Sequence, residues 1–306
     1  MVMPRSIFGN PIEGAAVVIT GATSGIGFET ARAFARAGAN VAIAGRRQER
    51  LDELAALITR EGRQALAVRT DVADPAQVEA LIARTVERFG KIDVLVNNAG
   101  VGLAAAFSET TLEEFRRIMD VNFWGVVHGC RAAVPVMVKQ RSGVIINVAS
   151  ILGKRGVPFS SAYCASKFAV VGFSEALRAE LAASNVAVST ICPGAVDTEI
   201  WQAAGNKLGA QFDALPKYPA WQLAQVIVND ARFPQPEIVL ALDAQLIDFF
   251  NTVAPRLMDV ALAAAAPFIE LFRGANVSPG NLFSPGQTQQ PPTEKPAEKQ
   301  ERPGSA

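Results

Sequence analysis

The chain is short of the groups that carry much of enzyme chemistry. Its 306 residues include one histidine, His128, so a mechanism built on a histidine base or a multi-histidine metal site is nearly excluded, and no metal is expected. His128 itself reads as a packed helix residue. Cysteine is scarce too: Cys130, Cys164 and Cys192 are odd in number and lack metal-ligand spacing, which fits reduced thiols in a cytoplasmic protein. Cys164 stands beside Tyr163, and a small core residue is favoured there over a reactive thiol. Neither sign of charge is in excess, with 29 Lys plus Arg against 29 Asp plus Glu, so there is no electrostatic footprint for nucleic acid. No run reaches the ~18 uncharged apolar residues of a spanning helix. The opening MVMPRSIFGNPIEG has no long apolar region and is not expected to be a signal peptide.

What is present is apolar surface in ordered pieces. Half the residues are hydrophobic and the mean hydropathy is +0.21, enough for one large α/β domain with an appendage, or for two domains. Apolar runs at 15–20, 41–44, 65–69, 92–96, 144–148 and 186–192 read as buried strands, with a seventh at Glu237 to Leu242. Helical periodicity fills the intervals, including one long helix from about Thr111 to Val138. Strands alternating with amphipathic helices predict a doubly wound parallel sheet, Rossmann-like, binding its ligand at the strands' carboxyl ends.

The polar motifs sit at those ends. After the first strand come Gly21-Ala22-Thr23-Ser24-Gly25-Ile26-Gly27 and a helix from Phe28, the strand–turn–helix order that brings free N–H groups and a helix dipole to a phosphate. The second strand ends in Gly45-Arg46-Arg47. An acid here would bind a ribose 2′-hydroxyl; the acid is missing and two arginines stand in its place, so NADP(H) is expected in preference to NAD(H), with Arg46 as the main contact. NAD(H) stays open, since both arginines also suit the start of a charged helix.

Ser150 ends the fifth strand, Tyr163 follows thirteen residues later, and Lys167 lies one helical turn beyond it. A phenol starts near a pKa of ~10, and a cation at ~4 Å with an effective dielectric of ~20 supplies ~4 kcal/mol, roughly three pH units. On that arithmetic Lys167 brings Tyr163 close to neutrality, while Ser150 donates to the same substrate oxygen.

Taken together and in order, Thr20-Gly21…Gly25-Ile26-Gly27, Asp71, Asn97-Asn98-Ala99-Gly100, Asn122, Ser150, Tyr163…Lys167 and Pro193-Gly194…Thr198 resemble the short-chain dehydrogenase/reductase family, in its ordinary single-domain branch, over about residues 12–242. The resemblance implies a catalytic tetrad of Asn122, Ser150, Tyr163 and Lys167, with Tyr163 as acid/base. Lys167 would also hold the nicotinamide ribose, and Asn122 a relay water. It implies cofactor contacts from Gly21, Thr23, Ser24, Gly25, Ile26, Gly27, Asp71, Val72, Asn98, Ala99, Gly100, Pro193, Gly194, Val196 and Thr198. Asp71 would meet the adenine amino group. Ser24 departs from the basic residue that many NADPH-dependent members carry there. The expected function is an NADP(H)-dependent oxidoreductase moving a hydride between nicotinamide and a ketone, aldehyde or secondary alcohol, in a homodimer or homotetramer formed through the helices bearing Asn122 and Tyr163. The alternative of another class is a cofactor-binding scaffold or sensor.

Val101, Leu103, Phe107, Ile151, Leu152, Phe159, Ile200, Trp201 and Phe212 offer an apolar lining and point to a hydrophobic substrate. Lys154 and Arg155 either bind an anionic group or are exposed loop charge. Domain 1–242 is followed by an extension, 243–283, in which Leu246, Phe249, Phe250, Val253, Leu257, Val260, Ala264 and Phe268 recur at helical spacing, with Asp248, Asp259 and Glu270 opposite. Pro255 and Pro267 are expected to kink or break it. Packing over the active-site mouth, a subunit interface and membrane-surface contact compete as its role, the last least favoured because the polar face is acidic. Asn281-Leu282-Phe283 is expected to tuck onto the body, and the Pro/Gln/Glu/Lys-rich tail from Ser284 to be disordered.

Overall fold

Seven apolar runs become the strands of one all-parallel sheet: β1 (Ala16–Thr20), β2 (Asn40–Gly45), β3 (Ala65–Arg69), β4 (Val94–Asn97), β5 (Gly143–Val148), β6 (Val186–Pro193) and β7 (Glu237–Leu240). The computed structural model describes residues 9–198, 204–209, 217–271, 273–274 and 277–284. Spatial order is β3-β2-β1-β4-β5-β6-β7, so the winding reverses between β1 and β4. Ligand sites in such sheets form at that reversal.

Residue alternation along each strand feeds two cores. Val17 and Ile19 face Phe34 of α1 (Gly25–Arg36), Leu51 and Leu54 of α2 (Gln48–Arg60), and Leu223 and Ile227 of α7 (Ala220–Arg232). Val18 faces the other way, toward Leu81 of α3 (Pro75–Phe89), Cys130 and Met137 of α5 (Gly125–Gln140), and Val170 of α6 (Ser161–Leu181). Burial on both faces explains why the five inner strands read as continuous apolar runs, while the edge strands β3 and β7 stay partly exposed.

The long helix expected from Thr111 to Val138 is instead two. A capping box at Thr111 and Glu114 starts α4 (Leu112–Met119), and a π-helical turn, Asp120–Trp124, joins it to α5. Val121 and Asn122, on this wider turn, are both buried. Helix α1 begins at Gly25, within the glycine turn rather than after it.

β7 stops at Leu240 rather than Leu242. Ala241 takes φ +94 and turns the chain into α8 (Leu242–Val253), and α9 (Pro255–Leu271) follows. Pro255 occupies the first helical position, where its missing N–H costs nothing, and Pro267 sits inside α9 without ending it. The acidic side of the extension meets the body: the Asp259 side chain, itself 68% exposed, pairs with Arg155, and Asp248 lies 4.0 Å from Lys154, which also binds Glu237 at 2.9 Å. Asn251 joins them, accepting from Arg155 at 3.0 Å. Lys154 and Arg155 are therefore neither an anion site nor loose surface charge; they dock the extension. Leu246, Phe249, Phe250, Val253, Leu257 and Val260 are left exposed. Among the described residues no helix is long and apolar enough to cross a membrane. The tail expected to be disordered lies, from residue 285 onward, outside the described residues.

Candidate active site

The sheet's carboxyl edge opens on a cavity of about 640 Å³. At its centre is the β1–β4 reversal, stapled by side chains. Buried Thr20 accepts the Asn98 and Ala99 N–H groups on its hydroxyl at 3.0 and 3.1 Å, and the Asn98 amide donates to the Thr20 carbonyl at 2.9 Å. Gly21 is fixed by this closeness: at φ +69, an added Cβ would lie 2.7 Å from the Ala99 Cα. Gly27 lets α1 approach the turn, since a Cβ there would meet the Gly21 carbonyl oxygen at 2.2 Å. Ser24 precedes α1 in extended backbone without capping it, so the helix N-terminus opens onto the cavity.

Of the expected site residues, Gly21, Thr23, Ser24, Gly25, Ile26, Arg46, Asp71, Val72, Asn98, Ala99, Gly100, Ser150, Tyr163, Lys167, Pro193, Gly194, Val196 and Thr198 all line this one cavity. Gly27 and Asn122 do not. Gly27 lies behind the turn. Asn122 is fully buried beneath the floor, where its amide brackets Val101, donating to the carbonyl at 2.9 Å and accepting the N–H at 2.8 Å, and also donates to the Ser166 hydroxyl at 3.1 Å. In this arrangement its side chain holds the loop after β4.

The Tyr163–Lys167 arithmetic needs correction. Lys167 Nζ lies 5.7 Å from the centroid of the Tyr163 ring and donates to the Val148 carbonyl at 2.9 Å. Burial dominates both groups. It pushes the phenol up to about 12, against a smaller downward pull from the Ser150 hydroxyl, and it pushes the ammonium down to about 8. Among the described residues, the effect that lowers the phenol comes from Ser150, not from the lysine. Ser150 accepts the Leu152 N–H at 3.1 Å, which leaves its own O–H to donate. Cys164 is buried and its thiol is shifted upward by that burial, as expected of a packed residue rather than a nucleophile. His128 is held to the Val72 carbonyl at 2.9 Å.

Comparison with known proteins agrees with this geometry. The model of the family described as short chain dehydrogenase matches residues 15–209. The chain belongs to the short-chain dehydrogenase/reductase family. It is 37% identical over 267 residues to "Dehydrogenase/reductase SDR family member 7B" of Rattus norvegicus, covering 83% of this chain and 82% of that protein. It is 38% identical over 268 residues to "Probable oxidoreductase EphD" of Mycobacterium tuberculosis, covering 83% of this chain but only 45% of that longer protein. A solved short-chain type dehydrogenase/reductase from Mycobacterium marinum superimposes with a TM-score of 0.67 at 33% identity, covering 75% of this chain and 94% of that one. The protein is thus an NAD(P)-dependent dehydrogenase/reductase on a Rossmann-like sheet with helices at its C-terminus.

Its cavity fits such a cofactor on observations of its own. The glycine turn has no room for a Cβ, and the Arg46 guanidinium keeps one buried arm, Nη1, without a partner among the described residues. Of the expected substrate lining, Val101, Leu103, Ile151, Leu152 and Phe159 face the cavity, whereas Phe107 is 76% exposed and points away. Ile200, Trp201 and Phe212 lie outside the described residues. Sequence reading missed the contributions of the extension: Ala244, Ile247 and Leu262 at one end of the cavity and Asn281 at the other. Ala244 and Ile247 fall inside the expected extension without being among its periodic apolar positions, and nothing local in the sequence says which face meets the cleft.

Proposed function

We propose that this enzyme is an NADP(H)-dependent reductase of hydrophobic ketones or aldehydes, or the corresponding alcohol dehydrogenase, with Tyr163 as its proton donor. The observation that carries the reading is the convergence in one cavity of the glycine turn, Arg46, Ser150, Tyr163 and Lys167. A bound nicotinamide supplies or accepts the hydride. The chain's own residues handle the proton and the oxygen. A phenol held near 12 keeps its proton at neutral pH, so Tyr163 is poised to give it to a carbonyl oxygen as that oxygen gains negative charge. Ser150 offers a second donor to the same oxygen, and donors aimed at developing charge lower the barrier more than they help ground-state binding. Lys167, close to neutrality, is suited to return a proton to the phenol. Asn122 acts from below, by fixing Val101. In reduction the carbonyl π bond is replaced by a C–H bond from the hydride and an O–H bond from Tyr163, and the dihydronicotinamide is oxidised.

Arg46 supports the choice of NADP(H), since its unpartnered arm at the end of β2 suits a phosphate oxygen. The apolar lining after Gly100 and Ser150 supports a hydrophobic substrate. Exposed Trp124 on the π turn and Phe168 on α6 support a homodimer or homotetramer through these helices. Three buried free thiols suit a reducing cytoplasm. The test is an NADPH-oxidation screen across carbonyl classes with the wild type and Tyr163→Phe. Turnover of apolar ketones or aldehydes that falls at least ~10³-fold in the variant supports the reading. Tight NADPH binding without reduction of any carbonyl would reject it.

A further inference from the structure

The C-terminal segment does more than end the chain. Leu282 is 2% exposed, packed in the cluster that holds Val72, Ile118 and Val121, at the adenosine end of the cavity. Its carbonyl accepts Arg117 Nε at 2.9 Å, and Arg117 Nη2 reaches Asp71 at 2.7 Å. One residue earlier, the Asn281 carbonyl accepts Arg46 Nη2 at 2.8 Å, and Asn281 lines the cavity. Further back, Ser278 pairs with Asn206 through two backbone hydrogen bonds, of 2.7 and 3.0 Å. The segment is therefore tied down ahead of, and at, the two residues that touch the arginines.

Arg46 lies among like charges: Arg117 and Arg47 both act on it as cations, while Asp71, bound by Arg117 at 2.7 Å, acts on it as an anion. One arm of Arg46 is spent on the Asn281 carbonyl and the other, Nη1, is buried without a partner among the described residues. A desolvated cation with a free donor arm is satisfied by an anion with several acceptor oxygens, and a phosphomonoester carries about −1.5 to −2.

We propose that residues 277–284 form a clasp that selects the 2′-phosphorylated cofactor, with Leu282 as the anchor and the Asn281 carbonyl as the group that aims Arg46. Asn281 and Leu282 are positioning residues. Without the clasp, Arg46 must be ordered from many rotamers when the phosphate arrives, which weakens NADPH on the order of tenfold. NADH, lacking that phosphate, does not draw on Arg46 and is little affected. The proposal rests on the NADP(H) reading above.

Full-length Leu282→Asp, Leu282→Met and Arg46→Ala are compared with the wild type by titrating NADPH and NADH without substrate, following cofactor fluorescence. The expected result is an NADPH Kd about tenfold higher in Leu282→Asp, an NADH Kd changed less than about twofold, and near wild-type values in Leu282→Met. Equal losses for both cofactors in Leu282→Asp, or no loss, overturn the clasp. Arg46→Ala separates the two ideas: a selective NADPH loss there with none in Leu282→Asp removes the clasp and leaves the cofactor reading standing, whereas equal losses there remove both. Should Leu282→Asp fail to fold, wild-type hydrogen exchange decides. NADPH at saturation must protect the amides of 277–284 more than NADH does, and equal protection overturns the proposal.

Discussion

Replacing Lys167 by methionine should abolish turnover and at the same time make the fold more stable. The ammonium is 4% exposed, its hydrogen-bond acceptor is the Val148 carbonyl at 2.9 Å, and burial brings its pKa from 10.5 down to about 8. At ~1.4 kcal/mol per pH unit, that displacement is about 3 kcal/mol of unfavourable free energy in the charged form at neutral pH. Methionine is near in volume, so cavity terms stay small, and the lost hydrogen bond returns about 1 kcal/mol. The net gain is about 2 kcal/mol at pH 7, or roughly 3 °C in Tm for a chain of this size. The pH dependence follows from linkage. The folded-state pKa is the lower one, so between about 8 and 10.5 the unfolded chain binds more protons and wild-type stability rises with pH. The methionine advantage should therefore shrink above pH 8 and be near zero by pH ~9.5. Urea denaturation of both proteins without cofactor, at pH 7 and pH 9.5, measures it. A variant less stable than wild type at pH 7, or a stability gap that does not change with pH, would refute the argument that this lysine is held against its own desolvation.

Three further outcomes follow from the same geometry. Carbonyl reduction at saturating NADPH should be level up to pH about 8 and then fall as Lys167 loses its charge; a profile flat to pH ~10 would detach the lysine from the rate. Gly129→Ala, in the middle of α5, gains up to ~1 kcal/mol of helix propensity but sets a Cβ 2.3 Å from the buried Asn97 amide oxygen, whose amide nitrogen is bound to Asn147 at 2.8 Å. Overpacking should win by about 1–2 kcal/mol, so a variant with a raised melting temperature would contradict the packing argument. Arg155→Ala removes the partner of Asp259 and a donor to Asn251, so limited proteolysis should cut α8 and α9 faster while leaving the sheet intact; unchanged cleavage would show the extension held by other contacts.

The sheet was legible because its five inner strands are buried on both faces. All seven runs fall within two residues of the observed strands at each end, and the overrun past Leu240 is set by the positive φ of Ala241, which no residue preference announces. The cleft was legible because its polar residues stand at strand ends, where the topology brings distant segments together without help from side-chain detail. The π turn was not: the sequence around Asn122 keeps helical periodicity, and adjacent buried residues such as Val121 and Asn122 occur in the ordinary helices too, as at Leu81–Ile82 and Val170–Val171. The Tyr163–Lys167 electrostatics were misjudged for another reason. Spacing along a helix fixes which face two residues share, but not how deeply that face is buried, and here desolvation outweighs the pair interaction.

The extension shows why periodicity alone gives an orientation up to a sign. An amphipathic helix has two faces, and apolar-inward is the default only when the body offers an apolar seat. Here the loop after β5 presents Lys154 and Arg155 instead, half-buried, and two unpaired cations at the cleft rim would be costly to desolvate. Glu237 binds Lys154, with Asp248 4.0 Å away, and Asp259 pairs with Arg155; with those acids on the side of the body, six apolar residues opposite are left facing out. The inward residues Ala244 and Ile247 pack beside Ile151, next to Ser150, while further along the chain Leu282 closes the adenosine end. The wall of the cavity is thus completed at both ends by residues that follow β7, one end held by ion pairs and the other by a buried leucine. Perturbing the two ends should therefore be separable. Loosening the ion pairs changes access near Tyr163, and loosening Leu282 changes what reaches Arg46.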